Sequence, residues 1–72
     1  MSVKPNGHMI RGIRRGRKLS LRELEAQTGL NRGYLSRLER EQVKDVGSEQ
    51  VRRVAAALGV AESLILQEET TP

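Results

Sequence analysis

The chain has 72 residues, of which 13 are Lys or Arg and 9 are Asp or Glu, and it contains no cysteine. A chain this short folds as one small domain and buries only about 60% of its unfolded surface, which leaves little room for an enclosed active site. Without cysteine, packed aliphatic side chains must stabilise the fold in place of disulfides or a thiolate zinc site. No apolar run approaches the roughly 20 residues of a membrane span, so we expect a soluble cytoplasmic protein.

Basic charge is concentrated at the front of the chain. Six of the 13 Lys and Arg residues lie within residues 1–18, which hold no acidic residue, whereas residues 42–72 carry more acidic than basic side chains. Such asymmetry suits a phosphate backbone, although a solvated basic helix face gives the same pattern. Charge alone therefore leaves nucleic-acid binding open.

The first predicted elements are an arm and a helix. Residues 1–7 have no periodic apolar pattern, and we expect a flexible N-terminal arm there. A helix is predicted from near His8 to near Lys18, because Ile10 and Ile13 lie three positions apart on an otherwise basic segment.

Strong capping signals mark the next two helices. Ser20 and Glu23 form an S-x-x-E capping pattern that starts a second helix, which runs to Thr28. Gly29 follows, where a left-handed residue ends a helix without a steric penalty. Two residues later Asn31 caps a third helix. The apolar residues of this third helix are Tyr34, Leu35 and Leu38.

The second half of the chain predicts two more helices. The segment Glu41–Gly47 has no helical period and is interpreted as a loop, after which Ser48 caps a fourth helix that ends at Gly59. Residues 61–66 are strongly apolar and predict a short fifth helix, followed by a disordered tail over 67–72. The predicted core residues are Leu24, Leu35, Leu38, Val51, Val54, Leu58 and Leu64. No strand-like alternation is found, which favours a compact all-α domain of five helices over residues 8–66.

The second and third helices have the spacing of a helix-turn-helix unit. Two short helices joined by a Gly-containing turn cross steeply, which brings four leucines together beneath them: Leu24, Leu30, Leu35 and Leu38. The outer face of the third helix is then exposed. A major groove about 12 Å wide admits such a helix, and the unpaired N–H groups at its start can meet phosphate oxygens.

With these elements the chain resembles the Cro and phage-repressor type of helix-turn-helix proteins, also grouped with the xenobiotic-response-element regulators. The resemblance covers about residues 9–66 and implies a lambda-repressor-like domain of five helices. It is carried by Ile13-Arg14, Leu19-Ser20, Glu23-Leu24, Thr28-Gly29-Leu30-Asn31, Tyr34-Leu35-Ser36-Arg37-Leu38-Glu39, Val54-Ala55 and Ala57-Leu58-Gly59-Val60.

The resemblance implies a DNA-reading role for the third helix. Its cap corresponds to Asn31, and bases are read from the positions of Arg32, Gly33 and Arg37. Tyr34 and Ser36 are the next DNA-binding candidates. Because arginine donates two hydrogen bonds to guanine O6 and N7, we expect G·C pairs within the recognised site.

The resemblance also separates phosphate-binding positions from the site of an architectural ion pair. Arg40 is expected to meet phosphate, and Arg22 to replace a phosphate-binding glutamine of many relatives, whose position is Leu21 here. An arginine of the first helix and a glutamate at the end of the third, Arg14 and Glu39, form an architectural pair in the family.

Two further positions depart from the family pattern. Glu25 stands where a small residue usually packs the second helix against the third. Glu41 replaces the glycine that usually follows the third helix. The first departure bears on the packing between the second and third helices, and the second on the chain path from Glu41 to Gly47.

Catalytic and metal-dependent functions are disfavoured. His8 is the sole histidine, and without Cys it cannot anchor a metal site of ordinary ligand spacing. The glutamates are accompanied by no nucleophile or phosphate loop, so we expect no enzyme activity and no cofactor. Single-stranded nucleic acid is disfavoured because Tyr34 is the sole aromatic residue and offers no platform for successive bases.

The sequence therefore predicts a transcriptional regulator of repressor or Cro type that acts by occupying an operator in double-stranded DNA. A homodimer is expected because one small module reads few base pairs, and Ile65 and Leu66 are the candidates for its surface. Two alternatives stay open. One is a protein-interaction module of antitoxin or adaptor type with a protein partner, and the other is an accessory factor in recombination or DNA architecture.

Overall fold

The computed structural model describes residues 2–67 and contains four α-helices. The helices are α1 (Gly7–Gly16), α2 (Leu21–Thr28), α3 (Arg32–Glu39) and α4 (Ser48–Leu58), followed by a 3-10 helix at Glu62–Ile65. Two short strands, β1 (Ser2–Val3) and β2 (Val46–Gly47), form an antiparallel pair in which Ser2 lies opposite Gly47 and Val3 opposite Val46. No helix in this part of the chain is both long and apolar enough to cross a membrane.

Side-chain caps explain where the helices begin. The side chain of Asn6 accepts a hydrogen bond from the backbone N–H of Met9, so α1 begins at Gly7, one residue before the predicted start. Ser20 and Glu23 form the predicted capping box at the start of α2. Ser48 was expected to cap α4, but it is the first residue of that helix and its N-cap is Gly47.

The core lies between the four helices and the 3-10 helix. Six of the seven predicted core residues are buried, and the exception is Leu64, which is 45% exposed. The buried apolar residues are Ile10, Leu24, Leu35, Leu38, Val46, Val51, Val54, Ala55, Leu58 and Ile65. Leu64 is exposed because its neighbour Ile65 turns into the core in its place.

The predicted fifth α-helix is wrong, since residues 62–65 form one 3-10 turn. Leu66 is already extended, with φ −107° and ψ 151°, and forms an isolated bridge with Pro5. Four residues between Ala61 and this bridge are too few for a run of i→i+4 hydrogen bonds. Ile65 is 1% exposed, so it is unavailable as the predicted dimer surface, and Leu66 is half-buried.

The described residues of the predicted N-terminal arm pair with other segments of the chain. Beyond the β1–β2 pairing, the Asn6 N–H donates to the Ile65 carbonyl at 2.8 Å, and the Gln67 N–H donates to the Lys4 carbonyl at 3.0 Å. Strands of two residues carry no alternating pattern that sequence analysis could detect. Of the predicted tail, only Gln67 lies within the described residues.

The start of α1 packs closely against the end of α3. Gly7 is buried, and a β-carbon at this position would lie 2.2 Å from the Leu38 carbonyl oxygen and 2.9 Å from that of Glu39. Real contacts of a β-carbon with backbone oxygen are longer than this, so only glycine allows the two helices to approach in this way.

Candidate nucleic-acid interface

The turn between α2 and α3 is fixed by three local features. Gly29 has φ 76° and ψ 8°, the left-handed conformation that ends α2. The buried hydroxyl of Thr28 donates to the Leu24 carbonyl at 2.7 Å and accepts from the Leu30 N–H at 3.1 Å. Asn31 then caps α3 by accepting from the Gly33 N–H at 2.7 Å. The direction in which α3 leaves the turn is therefore set by the residues of the turn itself.

The inner face of α3 rests on the core. Leu24, Leu35 and Leu38 are each at most 2% exposed, and Leu30 packs against them at the edge. Burying large aliphatic side chains contributes about 1.5–3 kcal/mol each, which is enough to hold an eight-residue helix that would be marginal alone. The packing leaves the opposite face of α3 toward solvent.

The C-terminal end of α3 is anchored by an ion pair between helices. Arg14 of α1 donates through Nε and Nη2 to the two carboxylate oxygens of Glu39 at 2.6 and 3.0 Å, and through Nη1 to the Leu19 carbonyl at 2.7 Å. Only 11% of the Arg14 side chain and 4% of the Glu39 side chain are exposed. This is the ion pair that the family resemblance implies, and its geometry is that of a buried bidentate contact.

The helix then ends in a left-handed turn. The Gln42 N–H donates to the Arg37 carbonyl at 2.9 Å and the Glu41 N–H to the Leu38 carbonyl at 3.3 Å, the two bonds of a Schellman motif. Glu41 has φ 63° at the position where such motifs favour glycine. The departure from the family pattern at Glu41 therefore changes the residue type and keeps the backbone conformation.

The predicted base-reading side chains lie on the exposed face. Arg32, Gly33 and Arg37 are exposed, as is the cap Asn31. A β-carbon at Gly33 would meet only the side-chain oxygen of Asn31, at 2.9 Å, so at this one position α3 presents its backbone to a ligand. Neither arginine turns inward, which is the condition on which the groove interpretation depended.

Tyr34 and Ser36 lie at the border of this face. Tyr34 is half-buried against the core, and this burial raises the pKa of its hydroxyl, although the nearby guanidinium of Arg37 opposes the shift. The phenol therefore stays protonated at neutral pH and can donate a hydrogen bond. The hydroxyl of Ser36 accepts from Arg40 at 2.6 Å.

Two basic residues that the sequence analysis did not include in the site also lie near α3. Arg11 and Arg15 of α1 line a shallow notch together with Arg40 of α3. All three side chains are exposed, so their charges remain available to a ligand. Arg22, the predicted phosphate contact on α2, is also exposed but does not line this notch. The spacing of Arg11 and Arg15, one helical turn apart, was the sequence signal that could have identified them.

A carboxylate of α2 meets the start of α3. Glu25 accepts from the backbone N–H of Arg32 at 3.0 Å and pairs with its Nε at 3.2 Å. The Arg32 side chain is 51% exposed and that of Glu25 is 34% exposed. Sequence analysis identified Glu25 as a departure and did not assign it to the site.

The arrangement offers charge and hydrogen-bond donors. Within residues 2–67 no group of three His, Cys, Asp or Glu side chains comes together as a metal site would require. The exposed face of α3 and its surroundings are instead rich in arginine.

A short helix, a glycine turn and a second, exposed helix packed on the first define this protein as a helix-turn-helix domain. Residues 7–70 match a family described as helix-turn-helix domain, and the chain belongs to that family.

Comparison with individual proteins adds three that are similar to this chain, one found by sequence and two by structure. The chain is 39% identical over 64 residues to the immunity repressor protein of Bacillus phage phi105. The aligned stretch covers 89% of this chain and 44% of the repressor. The chain thus spans less than half of the length of that relative.

Two solved structures share the fold. One is the restriction-modification controller protein C.AhdI from Aeromonas hydrophila, with a TM-score of 0.75 and 29% identity over 81% of this chain and 86% of that one. The other is the N-terminal DNA binding domain of SinR from Bacillus subtilis, with a TM-score of 0.79 and 29% identity over 90% and 94% of the two chains. SinR, a master regulator for biofilm formation, has also been crystallised in complex with DNA.

Proposed function

We propose that this protein is a sequence-specific regulator of transcription that places α3 in the major groove of double-stranded DNA. The observation that carries the proposal is the exposed, arginine-bearing face of α3, held rigidly from beneath by leucines and at its end by the Arg14–Glu39 pair. A helix with its side chains is about 10–12 Å across, which matches a groove about 12 Å wide. Relatives that include a phage immunity repressor and the DNA-bound SinR support it.

Base reading falls to the first two turns of α3. Arg37 and Arg32 donate to guanine O6 and N7, and Gly33 lets the backbone approach the base edges. Tyr34 and Ser36 contribute hydrogen bonds at the border of the contact. The cap residue Asn31 fixes the start of the helix against the DNA.

Phosphate contacts surround this helix. Arg40 lies at the end of α3 and shares its notch with Arg11 and Arg15, so a phosphate seated there meets guanidinium groups from two helices. Arg22 in the first turn of α2 contacts a phosphate of the adjoining DNA strand. These contacts set the register of the protein on the duplex and carry no sequence information themselves.

The protein acts by occupying an operator, and we propose that it does so as a homodimer. Two α3 helices about 34 Å apart read two half-sites one helical turn apart, which doubles the contacts. The dimer surface excludes Ile65, which lies in the core.

Selection of bound duplexes from a random pool tests this function. We expect an enriched sequence with G·C pairs in each half-site, palindromic if the protein is a dimer, and an affinity that falls steeply with salt. A basic domain that only covers a protein partner would enrich no sequence. Indifference to sequence at every salt concentration would contradict the proposal. A bent complex in mobility assays would point instead to an architectural factor.

A further inference from the structure

The carboxylate of Glu25 lies where the start of α3 would otherwise present an unpaired N–H group. The first N–H groups of a helix carry a partial positive charge and attract anions, including phosphate. Here the N–H of Arg32 is already bonded to Glu25 at 3.0 Å. The carboxylate of Glu25 thus takes the place of an external anion at the start of α3.

The same carboxylate meets one edge of the Arg32 side chain. The contact is made by Nε, at 3.2 Å, and the two terminal nitrogens of Arg32 form no hydrogen bond within the described residues. Arginine binds guanine bidentately through two N–H groups in a fixed geometry. A guanidinium held on its Nε side keeps its terminal N–H groups available for a base and loses part of the rotational freedom of its long side chain.

We infer that Glu25 is a positioning residue that sets sequence specificity by holding Arg32 for base reading and repelling phosphate from the start of α3. The inference rests on the proposed function and deepens it. Glu25 acts in two ways. It orients Arg32, which strengthens binding to a site with the correct base, and its negative charge weakens binding to a duplex that offers phosphates alone.

The variant Glu25→Gln separates the charge from the shape. Glutamine keeps the length of the side chain and an oxygen that can accept from the Arg32 N–H, while the carboxylate charge is lost. Fluorescence anisotropy is measured on the duplex selected by the wild-type protein and on a duplex of scrambled sequence. We expect the ratio of the two affinities to fall about tenfold in Glu25→Gln. The salt slope on the scrambled duplex should steepen by up to about one, as expected for one added phosphate contact.

The control is the same substitution in an Arg32→Ala background. If Glu25 orients Arg32, Glu25→Gln should change no base preference there, while the steeper salt slope on the scrambled duplex persists because the carboxylate charge is lost in both backgrounds. A loss of helix packing would instead lower the unfolding temperature in both backgrounds. Thermal unfolding of each variant checks the fold. Glu25→Ala serves as a second variant because it installs the small residue that the family resemblance implies at this position.

The outcomes distinguish the inference from the function on which it rests. If the wild-type chain selects no sequence, the proposed function fails. If it selects one and Glu25→Gln keeps the affinity ratio within twofold, or if the base preference changes equally with and without Arg32, the inference about Glu25 is overturned and the proposed function stands.

Discussion

The two ends of α3 each carry a carboxylate–guanidinium pair, yet the two pairs differ in burial. At the C-terminal end, Arg14 and Glu39 are almost fully buried and share two hydrogen bonds. At the N-terminal end, Glu25 and Arg32 are both partly exposed. A buried charge that loses its partner is costly, whereas an exposed one is screened by water, so the fold depends on keeping the first pair intact and the second contributes little to stability. The same chemistry thus anchors one end of the helix and leaves the other available to a ligand.

Removing one partner of the buried pair tests this contrast most strongly. In Glu39→Ala the Arg14 guanidinium stays buried without its carboxylate, and we expect a loss of about 3–5 kcal/mol in the free energy of unfolding. Urea or thermal unfolding followed by circular dichroism measures it. The matched control, Glu25→Ala at the other end of α3, should cost at most about 1 kcal/mol. Equal losses in the two variants would show that burial does not separate the pairs.

The substitution Arg37→Ala tests whether the exposed face of α3 contributes to DNA binding and not to stability. We expect affinity for the selected duplex to fall by about 1–3 kcal/mol, because a bidentate base contact is lost, while the unfolding curve stays unchanged. The control is Arg52→Ala, an exposed arginine on α4 that pairs with Glu49 within its own helix. The two variants should not lower affinity equally, since only Arg37 lies on the proposed reading face.

Glu41→Gly examines the turn that ends α3. Glu41 has φ 63°, so glycine at this position should stabilise the protein by about 1 kcal/mol through relief of backbone strain. Glu41→Ala removes the same side chain, including its 3.7 Å contact with His8, and keeps the strain. The difference in unfolding free energy between the two variants isolates the backbone term. A glycine variant no more stable than the alanine variant would contradict it.

The smallest expected effect concerns a carboxylate with no buried partner. A hydrogen bond from the Ser20 backbone, reinforced by the Ser20 side chain, lowers the pKa of Glu23. A carboxylate with a lowered folded-state pKa stabilises the fold above its unfolded pKa, and this contribution disappears as pH falls through the folded value. The wild-type protein should therefore have a higher free energy of unfolding than Glu23→Gln at neutral pH, and this difference should disappear on acidification. An advantage that is constant with pH would rule out the capping carboxylate as its source.

Local signals predicted α2, α3 and the turn between them. The capping box at Ser20, the left-handed Gly29 and the cap Asn31 each depend on residues within a few positions, and all three are found in the structure. Helical periodicity is also a local signal, and it predicted the buried leucines Leu24, Leu35, Leu38 and Leu58. The Arg14–Glu39 pair came from the family resemblance, because 25 positions separate the two residues.

The features that were missed depend on contacts between distant segments. The β1–β2 pair joins the start of the described chain to a segment beyond its middle, and the bridge between Pro5 and Leu66 joins its two ends. Strands of two residues also have no periodicity. The 3-10 helix ends at the bridge between Pro5 and Leu66, and the residue before the bridge, Ile65, lies in the core. The run of apolar residues in the sequence does not show which of them is buried. Glu25 and Arg32 meet only because α2 and α3 cross, so their pairing needed the crossing geometry as well as the sequence.

Gly7 gives the start of α1 a part in how the protein would meet DNA. The helix α3 has eight residues and is about 12 Å long. A bulkier residue in place of Gly7 would push the C-terminal end of α3 outward and so tilt the whole helix. With glycine at this position, the terminal carbonyls of α3 lie directly against the backbone of α1. The tilt of the exposed face of α3 is therefore governed partly from outside the two-helix unit, by a residue without a side chain.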